Sequence, residues 1–284
     1  MLPPTVRVSS LPAGRREAPL TPAKASQAAA PQFRELLGFR DEGGTHSSRT
    51  LMLAELRLLL AATPPAAVMQ DFRHAVVVDN VLEKRTATTR EHTVRKLKAL
   101  YGLDPTLPVY RVLRTLWDHD TQAQPLLALL CAVARDPLLR GSVDAVLPAR
   151  PGVTVTAATL EATVSTRFSE KTRHSIGVNL ASTWTQAGFL SGVQHKLRTR
   201  PHATVEAVAY ALALGAMEGR RGSLLLDTLW TRLLDLPADE LLPLVQRAAQ
   251  RGWVDYRGVG SIVDIRLRSL LTPDEQRWCD GQPD

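Results

Sequence analysis

Two apolar runs set the strongest constraint on this 284-residue chain: "PLLALLCAVA" at 125–134 and "AVAYALALGAM" at 207–217. As helices, both are apolar on every side, so neither suits a protein surface. Both also fall short of the roughly 18 uninterrupted apolar residues that a membrane crossing needs. They read as core helices that the rest of the chain must enclose. A chain of this length supplies enough material for one large domain or two modest ones.

The flanking sequence repeats the helical period. "RTLMLAELRLLLAAT" sets Leu51, Leu53, Leu56, Leu59 and Leu60 at helical spacing, and Pro64-Pro65 ends it. Further helices are expected through "AAVMQDFRHAV", "PVYRVLRTLWDH", "PLLRGSVDAVL", "TAATLEATVSTRF" (capped by Thr156) and "SLLLDTLWTRLLDL". Near the C-terminus, "WVDY" and "SIVDIRL" alternate on either side of a glycine-rich turn, the pattern of a β-hairpin. The expected fold class is mainly α, a helical bundle with helix-turn-helix or winged-helix-like modules and one or two short hairpins. The expected boundaries are a disordered Pro/Ala-rich tail over 1–46, a helical domain over 47–150, a winged-helix-like domain over 151–272 and a flexible tail over 273–284. The sharp "RPGVT" break near Pro151 marks the middle boundary.

Charge points to the partner. Lys and Arg number 35 against 28 Asp and Glu, a net charge of +7, which favours an anionic surface without naming one. Two cysteines, Cys131 and Cys279, exclude a disulfide framework and a cysteine zinc site on count. The N-terminal residues lack the apolar core of a signal peptide. These features lead us to expect a cytoplasmic protein that does not associate with membranes.

Two basic segments are candidate nucleic-acid contacts. In the first, a short helix over 79–84 and a polar turn lead to a helix opened by Thr88, with Glu91 three residues on as a capping box, and closed by Gly102. Its apolar face is Val94, Leu97, Leu100 and Tyr101, which turns His92, Arg95 and Ala99 outward with Lys96 and Lys98 on the flanks. Lys84 and Arg85 add charge at the preceding turn. The expected DNA contacts are Lys84, Arg85, Thr89, Arg90, His92, Arg95 and Lys96; Arg90 is included because first-turn residues reach phosphates over the helix end. The competing reading is a solvated face whose cations only aid solubility.

The second segment is "RFSEKTRHSIGVNLASTWTQAGFLSG", 167–192. Ser169 is a good N-cap, and Ile176, Leu180, Trp184 and Ala187 form one stripe that belongs in the core. Lys171, His174, Ser175 and Val178 face outward, with Arg173 at the flank. A basic hairpin carrying His195, Lys196, Arg198 and Arg200 follows, a pairing that suits phosphate contacts beside a groove. The expected contacts are Ser169, Lys171, Thr172, Arg173, His174 and Lys196. Beyond the first turn, Val178 and Ala181 make the outward face apolar, which argues against sequence-specific readout and suits docking of another helix. Of the two segments, the first is the better candidate for the main contact. The C-terminal hairpin alternates Asp255, Arg257, Asp264, Arg266 and Arg268 in sign, and is read as structural or as a protein contact.

Catalytic signatures are sparse. There is no P-loop, dinucleotide glycine fingerprint or H-E-x-x-H motif. Asp118, His119 and Asp120 are adjacent and so face different sides of a helix, and they are read as surface polarity rather than metal ligands. No enzyme activity, cofactor, metal or small-molecule substrate is expected.

The order of "DNVLEKRTATTREHTVRKLKALYGL", "QPLLALLCAVARDPLLRGSVDAVL", the 167–192 segment and "AAQRGWVDYRGVGSIVDIRL" resembles the BrxA-type accessory proteins of BREX bacteriophage-exclusion systems. The resemblance spans roughly 50–270 and rests on helix, turn and hydrophobic spacing rather than on any catalytic signature. It implies a small, mainly helical cytoplasmic protein that binds double-stranded DNA and is encoded with other phage-defence proteins, which are its further candidate partners. Two alternatives stay open from the residues themselves: a protein-interaction scaffold of a defence complex, and a transcriptional or RNA-binding regulator.

Overall fold

The computed structural model describes residues 31–259 and 262–279. The fold is mainly α-helical and, among the described residues, carries two small antiparallel hairpins. The two apolar runs become the helices Gln124–Arg135 and Val205–Met217. Leu126 to Ala134 and Ala207 to Leu214 are buried on every side. Ala87–Tyr101, Pro108–Trp117 and Ala238–Gln250 pack against one or both of them, and the leucines of Leu53–Ala61 join the same core. Leu53, Leu56, Leu59 and Leu60 are buried at helical spacing; Leu51 is buried too but precedes the helix, which starts at Leu53 after Met52 at φ 53°. No described helix is long and apolar enough to cross a membrane.

Three boundaries differ from expectation. Order extends into the 1–46 tail: Pro31–Leu37 is a helix, Phe33, Leu37 and Phe39 are buried, and Arg34 bonds Glu218 at 2.8 Å. Three apolar anchors in seven residues are too few to leave a periodic signal, and residues 1–30 lie outside the described residues. The break at Pro151 does not separate two cores, because one hydrophobic cluster runs from Leu37 to Cys279. Polar bonds cross it too: Tyr210 Oη donates to Val109 O at 2.8 Å, and Trp184 Nε1 donates to Ser142 Oγ at 2.9 Å. Within the 273–284 tail, Pro273–Cys279 is a helix that buries Cys279 and sets Glu275 against Arg111; residues 280–284 lie outside the described residues.

Local elements also differ: the helix expected through "PLLRGSVDAVL" is the two short helices Pro137–Gly141 and Val143–Val146, and that through "TAATLEATVSTRF" is only Ala157–Glu161. The short helix expected over 79–84 is absent. The separately expected helix through "AAVMQDFRHAV" is present as Met69–Arg73, continued by the π-helical turn His74–Val78. Residues 79–86 are irregular, with Asn80 and Glu83 at φ 54° and 51°, and Asn80 Oδ1 accepts from Lys84 N at 2.9 Å. A side chain that bonds nearby backbone offers an alternative to helix, and here it prevails. The segment expected as one helix over 223–236 is the 3₁₀ turn Gly222–Leu226 followed by Leu229–Arg232.

Candidate nucleic-acid interface

The first basic helix runs Ala87–Tyr101, and its N-cap is Thr86 rather than Thr88: the Thr86 hydroxyl accepts from Thr89 N at 3.2 Å. Gly102 ends it at φ 93°, a backbone region that glycine enters freely. Val94, Leu97, Leu100 and Tyr101 are buried, while His92, Arg95 and Lys98 are exposed. Several expected contacts are occupied within the protein. Arg90 clamps the preceding turn, donating from Nε to Lys84 O and from its terminal nitrogen to Val77 O, both at 3.0 Å. Arg90 therefore closes the turn before the helix. Lys84 pairs with Glu55 at 3.0 Å, Thr89 shares a hydroxyl bond with Thr86, and His92 lies 2.9 Å from Arg95. Arg73 and Glu91 form an ion pair beside the same face. Arg85 and Lys96 have no ion-pair partner among the described residues and remain available.

The second segment is built differently. Thr156 caps the helix Ala157–Glu161, a turn follows, and Ser169 caps the helix Glu170–Gln186 by accepting from Thr172 N at 3.3 Å. Gly188, at φ 84°, turns the chain into Leu190–Ser191, which pairs antiparallel with Leu197–Arg198. Thr154 bridges to Leu197, adding a third short edge to this hairpin. Helix, turn, longer helix and hairpin thus form one unit over 154–198. The two helices approach closely at Gly177, where an added Cβ would lie 2.6 Å from Ala157 O. Ile176, Leu180, Trp184 and Ala187 are buried, so the expected apolar stripe faces the core.

Three sides of the Glu170–Gln186 helix are covered and one is open. The apolar stripe faces the core, Gly177 faces the Ala157–Glu161 helix, and the opposite flank meets the chain near residue 46. There Asn179 donates to His46 O at 2.9 Å, and Gln186 Oε1 accepts from Leu53 N at 3.2 Å. The open side carries Lys171, Ser175, Val178, Ser182 and Thr185, which fall within one face at 100° per residue. Lys171, Ser175 and Val178 are exposed. Ala181, expected outward with Val178, is 2% exposed and belongs to the covered flank, one turn beyond Gly177.

The expected side chains of this unit separate into groups. Lys171 is exposed with no side-chain partner among the described residues, as are His195 and Arg200. His174 is exposed and lies 3.3 Å from Glu161. Ser169 and Thr172 are joined to each other as the cap. Arg173 is half-buried, with its Nε enclosed and unbonded among the described residues, which turns it away from the open side. Lys196 Nζ donates to Thr185 Oγ1 at 2.9 Å, fastening the hairpin loop to the end of the open face. Arg198 is 1% exposed and stacked over Phe189; it pairs with Asp235 at 2.9 Å and donates to Val146 O at 3.1 Å. It holds the unit together and faces no solvent.

One residue that positions this helix lay in the expected tail. His46 is fully buried, with Nδ1 2.8 Å from Asp136 Oδ2 and Nε2 2.9 Å from Thr183 Oγ1. Burial alone would raise the Asp136 carboxyl, but hydrogen bonds and charge from His46 outweigh it and hold the carboxyl below its ordinary range. Nothing periodic marks a lone polar histidine, so sequence pattern gives no signal for this contact.

The same order recurs later in the chain. Leu229–Arg232 is capped by Thr228, Ala238–Gln250 follows, and Asp255–Val259 pairs with Ile262–Arg266. The longer helix of this second unit begins with exposed Asp239 and Glu240 instead of cations. Compared with known proteins, the chain matches no family model and no curated sequence.

Proposed function

We propose that this protein binds duplex DNA without catalysing a reaction, and that the 154–198 unit does so as a winged helix. In this reading the Glu170–Gln186 helix enters the major groove and the loop between Leu190–Ser191 and Leu197–Arg198 lies along the backbone. The observation that carries the proposal is the open face of that helix. Apart from Val178 it is polar, with Arg167 and Lys171 exposed at its start and Lys196 bonded to Thr185 at its end, next to the exposed His195. Cations at the ends suit phosphates, and small side chains between them allow close approach to base edges. The Ala87–Tyr101 helix is the secondary contact, through Arg85, Arg95 and Lys96, because Lys84 and Arg90 are held by neighbouring groups. The second unit, with Asp239 and Glu240 at its helix start, disfavours phosphate and suits a protein contact. Resemblance to BrxA-type proteins supports placing the activity in a cytoplasmic phage-defence complex.

Fluorescence anisotropy with a labelled random duplex tests this. Affinity should fall steeply with salt, with a log–log slope of about −0.9 per phosphate neutralised. Arg167→Glu with Lys171→Glu should weaken binding more than Arg95→Glu with Lys96→Glu, and both pairs should retain their helical circular dichroism. Absence of binding at low salt would leave the scaffold reading. Preference for structured RNA would favour the regulator reading, because the deep, narrow major groove of A-form RNA excludes a helix.

A further inference from the structure

We infer that Val178 is a base-reading residue whose side chain meets the 5-methyl group of thymine in the major groove. The inference rests on the duplex-DNA reading above and adds a specificity to it. Val178 is 47% exposed at the middle of the open face, with Lys171 and Ser175 before it and Ser182 and Thr185 after it. Its neighbours off that face are accounted for: Gly177 lies against Ala157 O, Asn179 bonds His46 O, and Ala181 is buried. The valine is therefore neither part of the helix-packing surface nor at its margin. At 1.5 Å per residue it stands about 10 Å along the helix from both Lys171 and Thr185, the latter joined to Lys196.

That spacing divides the work of the face. The cationic ends reach the phosphate walls of a groove about 12 Å wide, which leaves the central position over the base edges. A valine there has no donor, acceptor or charge to offer. Among the groups that base pairs present in the major groove, the thymine methyl is the apolar one. A guanine, adenine or cytosine edge at the same place would lose water from its polar atoms and gain no hydrogen bond. Serines on both sides are short enough to let the helix descend until the valine makes contact.

The experiment begins with duplexes selected by the protein from a random pool. In the tightest binders, every thymine is replaced by deoxyuridine, which removes the 5-methyl groups and keeps the base pairing. Burial of one methyl at about 0.8 kcal/mol corresponds to about fourfold weaker binding of the deoxyuridine duplex by the native protein. Val178→Ala should bind the thymine duplex about as weakly and lose the difference between the two duplexes. Val178→Thr, which keeps the shape, should retain part of it. Equal affinity of the native protein for both duplexes overturns the inference and leaves DNA binding standing. A deoxyuridine effect undiminished in Val178→Ala also overturns it, since another residue would then read the methyl. If random duplex is bound but no sequence is enriched, the inference fails and DNA binding stands; if random duplex is not bound at low salt, the DNA reading fails and this inference with it.

Discussion

Asp136→Ala should be among the most damaging single changes in the protein, and its size can be worked from the geometry. Asp136 is 1% exposed. Its Oδ2 accepts from Thr45 N at 2.6 Å, His46 N at 3.1 Å and the His46 ring at 2.8 Å. Its Oδ1 accepts from Leu138 N at 2.9 Å and Leu139 N at 3.3 Å, capping the helix Pro137–Gly141. Alanine leaves the two amides of Thr45 and His46 buried without an acceptor, at about 1–3 kcal/mol each. Loss of the cap adds about 1 kcal/mol. The sum, about 3–7 kcal/mol, is a large part of the roughly 5–15 kcal/mol that holds a domain folded.

Urea unfolding followed by far-ultraviolet circular dichroism measures this directly, through a lower midpoint at unchanged slope. Asp136→Asn, which keeps one acceptor oxygen, should fall between native and alanine. The native carboxyl sits below its ordinary value. Its contribution is therefore complete above the unfolded pKa of about 3.9 and disappears as pH falls through the lower, folded value. The gap in stability between native protein and Asp136→Asn should accordingly narrow as pH falls below about 4. A midpoint for Asp136→Ala within about 0.5 kcal/mol of native, the range of ordinary surface changes, would refute the reasoning. The His46 contact would then be incidental to how the Glu170–Gln186 helix is held.

Gly177→Ala should destabilise by about 1–3 kcal/mol, because the new Cβ meets the Ala157 carbonyl and the Glu161 backbone rather than a movable side chain. A thermal melt checks it, and an unchanged Tm would mean that the two helices sit farther apart in solution. Trp184→Ala should cost about 3–5 kcal/mol in urea unfolding, since a fully buried indole loses both the Ser142 bond and its edge contact with Phe189. Native-like stability would overturn the buried stripe.

How much could be read in advance followed the type of interaction. Apolar periodicity placed the leucines of the Leu53–Ala61 helix, the face from Val94 to Tyr101 and the stripe from Ile176 to Ala187, because packing repeats with the helix. Polar contacts between distant residues have no period. The His46–Asp136–Thr183 contacts span up to 137 residues, and no local rule brings three such side chains together. The internal bonds of cations are illegible for a related reason. Arg90 and Arg198 look like their exposed neighbours in composition, yet one closes a turn and the other is buried against Asp235. Helical phase alone also put Ala181 outside, since it cannot show that a second helix covers that flank.

The single core passing beneath Pro151 decides how this protein can be dissected. Scission at 150 would strip Trp184 of Ser142, Arg198 of the Val146 carbonyl and Thr183 of His46 in one stroke. Each fragment would show water an apolar surface that the other now shields, including parts of the Gln124–Arg135 and Val205–Met217 helices. Neither half is a self-sufficient piece, and loss of the proposed DNA binding by a truncated chain would report collapse rather than the removal of a contact.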